Sequence, residues 1–167
     1  TSANDGEWIG KHCAFFSKCM IRCWNVAVVS DTKAMNVGAA VVSINVREKV
    51  LELLTEAKST CHTKNTTIDE KLLSSLSGKL AETCYNCARF SMAEKYFKTA
   101  LEGTRFDFDF SEDESPLNEE LEEKEEHNDV FFQNFKVASL RGANFIRLND
   151  LSKASSMLTK CAKTLLF

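Results

Sequence analysis

Proline is almost missing from this chain and glycine is scarce: one and six residues among 167. That leaves little turn material for an all-β fold. No apolar run approaches the roughly 20 residues that cross a bilayer. The opening TSANDGEW has no basic stretch followed by an apolar core, so no signal peptide is read; it also lacks an initiator Met, and the sequence reads as a fragment. An excess of either charge is absent too. The formal net charge is −3, and Lys and Arg are scattered rather than clustered. A general nucleic-acid or membrane-surface binder is therefore not expected. Histidine is sparse, at three residues.

What the chain does contain is amphipathic helix and cysteine. Seven cysteines, an odd number, sit mostly inside apolar helical patterns. Free thiols in a reducing compartment fit this better than a disulfide framework, so an intracellular protein, cytoplasmic or nuclear, is expected. At 167 residues the chain can form one domain with a real core, burying about 70% of its unfolded surface.

Apolar residues spaced by three and four predict helices throughout. The first covers 7–29. A short one at 32–44, AMNVGAAVVSI, has β-branched content that also permits a strand. VREKVLELLTEAK predicts a helix over 46–58. Thr67 and Glu70 form a capping box for a helix running to Ala88, and Ser91 with Glu94 forms another for a helix over 92–103 that Gly103 ends. From 106 to 129 the composition turns acidic and contains the lone proline, Pro116. This predicts a partly disordered loop. Helix resumes after Asn128, and Asn149–Asp150 form a turn into a last helix that ends on three apolar residues with no cap.

A stripe recurs in these helices: Ala93, Phe97, Ala100; then Ala154, Leu158, Cys161; then Val50, Leu54, Ala57. Twelve residues before each stands a small residue, Ala81, Gly142 or Gly38. The pattern resembles the tetratricopeptide repeat, a helical hairpin of about 34 residues. Residues 74–107 match best, through Leu80, Ala81, Phe90, Ala93, Phe97 and Ala100. Residues 135–167 follow, and 31–64 form a degenerate third. The large aromatic of the early first helix is missing, with Ser77, Ala138 and Ala34 in its place. The closing proline is missing as well. An unrelated helical bundle is the alternative.

The resemblance implies an all-α fold, an irregular right-handed stack of antiparallel hairpins forming one domain over 1–167. Its implied function is protein–protein interaction, as a scaffold or adaptor segment binding a partner helix or peptide. A purely architectural solenoid subunit of a catalytic assembly, or an enzyme with an unrecognised site, are the rivals. The concave face of this family is lined by the first helix of each hairpin. Here that face would carry Met35, Ala39, Val42, Glu82, Tyr85, Asn86, Ser139, Ala143, Ile146 and Arg147. Chaperone-binding members hold a peptide carboxylate with basic and asparagine side chains. Ala39, Glu82 and Ala143 occupy the asparagine position, so that role is set aside.

Little in the sequence suggests catalysis. Cys84 and Cys87 form a CxxC with no second pair at zinc spacing, and Cys84 falls on a core face. Structural thiols are the preferred reading. His12, His62 and His127 belong to no nucleophile arrangement, and neither a phosphate-binding glycine loop nor HExxH is present. No cofactor or metal is expected, and neither nucleic acid nor membrane is an expected partner; the oligomeric state stays open. Ser111 before EDE and Ser115 before Pro116 are candidate phosphosites. FDFDF, at 106–110, reads either as a docking strip or as a loop anchored by a buried Phe or two.

Overall fold

A computed structural model describes residues 15–28, 37–60, 68–108 and 128–165. Among these residues the chain is helical, in six helices packed as sequential pairs. They are α1 (15–28), α2 (Val37–Thr60), α3 (Glu70–Asn86), α4 (Phe90–Leu101), α5 (Asn128–Arg147) and α6 (Leu151–Thr164). No helix among them is long and apolar enough to cross a membrane.

The largest departure from the sequence reading is α2. Two short helices are expected at 32–44 and 46–58; over the described part of both, one helix runs unbroken, Val37–Thr60. Asn45, the residue between them, has neither the missing N–H of proline nor the freedom of glycine, so nothing breaks the ladder. One continuous face buries Ser43, Ile44, Arg47, Val50, Leu51 and Leu54. The described part of 31–64 therefore contains no hairpin. Instead α2 packs against α1, where the Ser43 hydroxyl donates to the Ala27 carbonyl at 2.9 Å, and against α3.

Helix ends also differ from expectation. Thr67 lies outside the described residues; α3 is capped by Asp69, whose Oδ1 accepts the Leu72 N–H at 2.7 Å. The Ser91–Glu94 capping box does not form. Helix α4 already begins at Phe90, with no side-chain cap, and leaves Ser91 exposed inside its first turn. The start is set by how α3 ends. Ala88 adopts φ +58°. The Arg89 N–H reaches the Cys84 carbonyl at 2.8 Å and the Ala88 N–H reaches that of Tyr85 at 3.0 Å. This is the Schellman arrangement. The α5–α6 turn repeats it. Asn149 has φ +60°, Asp150 N–H donates to Phe145 at 2.9 Å, and Asn149 N–H to Ile146 at 3.1 Å. Asp150 then caps α6 through the Lys153 N–H. Two hairpins thus turn alike, with Ala88 and Asn149 separated by 61 residues.

Small residues set the spacing within each pair. On α3 and α4, Ala81, Ala93 and Ala100 are buried with Leu80, Cys84 and Phe97, and a Cβ added at Gly78 of α3 would lie 3.7 Å from Ala100 Cβ of α4. At Gly142 an added Cβ would lie 2.6 Å from Leu158 Cδ2, so α5 and α6 touch there. Polar links join one pair to the next. Tyr96 donates its hydroxyl to Glu48, tying α4 to α2. Lys136 Nζ donates to both Glu82 oxygens at 2.8 and 3.0 Å, tying α5 to α3. Arg47 is buried, donates to Thr83 Oγ1 at 3.0 Å and sits 5.8 Å from the Trp24 ring. One guanidinium therefore touches α1 and α3 from α2.

After α4, Gly103 takes φ +70°, ending the helix as its sequence position suggests. Its N–H donates to Asp107 Oδ2 at 2.8 Å. This tight turn seats Phe106 in full burial against Phe108, Phe131 and Phe135, with ring centroids 5.7–6.3 Å away. The first phenylalanine of FDFDF is therefore core, and it lies at the edge of the stretch expected to be a loop from 106.

Candidate protein-interaction site

Positions 61 residues apart, as Ala88 and Asn149 are, pair Glu82 with Ala143, Tyr85 with Ile146, and Asn86 with Arg147. Each trio occupies one face of the first helix of its hairpin, because offsets of three and four residues fall on one side of a helix. Glu82 is half-buried and held by Lys136. Tyr85 is half-buried, its ring edge-on to Phe90 at 5.8 Å. Asn86 and Arg147 are exposed and Ala143 half-buried; Ile146 keeps 50% of its surface in water. Ser139 is half-buried and hydrogen-bonds with Cys161 of α6. Val42, 62% exposed, lies on α2, away from that helix's buried face. Met35 lies outside the described residues, as do Ser111 and Ser115, and of Ala39 only the backbone in α2 is described.

A second feature was not anticipated. A cleft of about 720 Å³ opens where α4, α5 and the start of α6 meet, beside Asp107 and Phe108. Its floor is Phe145, with the buried Arg141 guanidinium 5.4 Å from the ring centroid. Arg141 donates from Nε and Nη2 to Glu94 Oε1 at 3.0 and 2.7 Å. The neighbouring Asn144 Nδ2 donates to the Phe90 carbonyl at 3.0 Å. These bonds clamp α5 onto the first turn of α4. At the rim, Lys153 Nζ pairs with Asp150 at 2.8 Å, and the hydrogen bonds from Lys153 hold the Asp150 carboxyl below its usual range. Lys160 lies 5.0 Å from the Phe108 ring. Arg141 precedes Gly142 where Leu80 and Val37 precede Ala81 and Gly38, and its partner Glu94, 47 residues earlier, carried no local signal.

The CxxC pair is split by the end of α3. Cys84 is buried in the core, and burial pushes its thiol up to about 11. Cys87 sits at the helix end, half-buried. A thiol with so high a pKa is a poor nucleophile and a poor metal ligand at neutral pH. Among the described residues no group of His, Cys, Asp and Glu is arranged to hold a metal ion; all three histidines lie outside them.

Comparison with protein-family models, with curated proteins and with solved structures finds no match to this chain.

Proposed function

We propose that this chain is a protein–protein interaction module, a scaffold or adaptor segment built as a tetratricopeptide-like stack of helical hairpins. The observation that carries the reading is the repeated hairpin. The α3–α4 and α5–α6 pairs share a turn of the same type at an offset of 61 residues, and the second pair sits on the first through α4–α5 and α3–α5 packing. A single hairpin cannot bury its own apolar faces, so stacked repeats present extended surfaces to partners. With α2 continuous, α1 and α2 form the first hairpin, and α2 takes the place of a second helix. Ala39 and Val42 then leave the groove, which narrows to the α3–α5 face: Glu82, Tyr85, Asn86, Ala143, Ile146 and Arg147.

Such a face, with an aromatic and an aliphatic residue between polar edges, suits the apolar side of an amphipathic helix. The partner is obtained by affinity capture from native extract and mass spectrometry, then its binding to purified variants is measured. Tyr85→Ala should weaken binding by about 2 kcal/mol, roughly 30-fold, as a central anchor would. Because the ring packs on Phe90, this variant also loses an aromatic pair of about 0.5–1.5 kcal/mol in stability. Ile146→Asp, at a half-exposed position, should weaken binding and leave the melting temperature in place. Binding that survives both substitutions together would refute the groove.

A further inference from the structure

The cleft where α4, α5 and the start of α6 meet shares no lining residue with the α3–α5 face. At about 720 Å³ it falls within the roughly 300–1,000 Å³ of sites that hold small ligands. Its walls combine two kinds of surface. Phe145 is the floor, with Phe108 and Leu148 beside it, so a ring can leave water there. Charged groups converge on the same space, and its carboxylates are already engaged. Glu94 receives Arg141, Asp150 receives Lys153, and Asp107 accepts the Gly103 N–H. Lys98 lines the cleft from the exposed side of α4 and has no carboxylate partner among the described residues. Lys160 adds an ammonium 5.0 Å from the Phe108 ring. Four cations therefore meet three carboxylates around one concavity. Within a cleft such an imbalance is felt more strongly than on an open surface, and it favours one further anion.

We propose that this cleft binds an aromatic acid: a phenyl-sized apolar group joined to one carboxylate. Lys98 receives the carboxylate, and Phe108, Phe145 and Leu148 receive the ring. A cationic ligand is disfavoured, because each carboxylate in the walls already has a donor. A purely apolar ligand would leave Lys98 without a counter-charge beside a site it had dried. The same chemistry is offered by a free aromatic acid and by a phenylalanine next to an aspartate in a partner's peptide. The site does not depend on the α3–α5 groove.

The test is an amide NMR titration of the full chain with two probes, 3-phenylpropionate and N-acetyl-Asp-Phe-amide. Saturation with a Kd of about 1 mM or tighter is expected for at least one, with the shifts centred on Lys98, Phe108, Leu148 and Lys153; the tighter probe identifies the source. The neutral isostere 3-phenylpropanamide should bind about threefold more weakly than the acid, or worse, and propionate, which lacks the ring, about tenfold more weakly or worse. Lys98→Glu should weaken the acid about fivefold or more and leave the amide unchanged, a split that a merely structural role would not produce. Lys98 is exposed, so the melting temperature should hold. Leu148→Ser should weaken acid and amide alike. The proposal is overturned if neither probe saturates by about 10 mM, if acid and amide bind equally, if Lys98→Glu affects both equally, or if the shifts centre elsewhere. It is overturned in favour of the chain's own acidic segment if the probes bind only after deletion of 111–126.

Discussion

Replacing Phe106 by alanine is the sharpest test of how the acidic stretch joins the fold. Phe106 is fully buried, with the Phe108, Phe131 and Phe135 rings around it. Two effects add. Returning the ring to water forfeits about 1.5–3 kcal/mol of transfer energy. An unrelaxed cavity of roughly 100 Å³, at about 24 cal/mol per Å³, adds about 2 kcal/mol. The sum, about 3–5 kcal/mol, agrees with typical losses for buried phenylalanines and is a large part of the 5–15 kcal/mol that holds such domains together. In urea, with a slope of about 2 kcal/mol per M, the midpoint should fall by about 2 M. Phe108→Ala, at a half-buried ring, should fall by no more than half as much. Equal losses at the two positions, or a Phe106→Ala change below about 1 kcal/mol, would show that the ring is not part of the core and that the strip is free to dock elsewhere.

Two further outcomes follow from buried polar groups. Glu94→Ala removes both carboxylate bonds of the buried Arg141 and should destabilise by about 3 kcal/mol, whereas Arg141→Met with Glu94→Leu should return to within about 1 kcal/mol of the parent; urea titrations of the three proteins decide it, and a single Glu94→Ala variant as stable as the parent refutes the clamp. For Cys84, the folded protein keeps a proton that the unfolded chain loses near pH 9. Stability should therefore fall as pH rises from about 9 toward 11, and peptide mapping after alkylation at pH 8 should find the exposed Cys23 modified and Cys84 intact.

The helical class and the two later hairpins were legible because their signals are local. Ala93, Phe97 and Ala100 recur in spacing, and Gly103 and Asn149 mark helix ends by conformations that other residues adopt at a cost. Ala88 shares that conformation with no such mark, so α3 was read two residues too long. The capping boxes misled for a related reason. Ser91 and Glu94 have the right spacing, but Glu94 is claimed by Arg141 from α5, and a tertiary partner outbids a local one. Merging 32–44 with 46–58 required knowing that Ser43, Ile44 and Arg47 all find burial on one side. The residues proposed to line the α3–α5 face follow from the 61-residue spacing, and the continuity of α2 takes Val42 off that proposed face. The cleft was invisible because its walls come from residues as distant as Glu94 and Lys153.

Helix packing here follows chain order: α2 on α3, α3 on α4, α4 on α5, α5 on α6, with α3–α5 as the added contact. Chains built from such near-neighbour contacts close only short loops before contacts reward them, so folding should be quick. Cooperativity is correspondingly local. Among helices α2–α6, α6 packs on α5 alone, so the α5–α6 hairpin can open while α3 and α4 stay packed, and amide exchange should be faster in α6 than around Leu80 and Phe97. A partner that clamps the outer hairpin would then act less by changing any shape than by suppressing this fraying, drawing part of its affinity from molecules already closed.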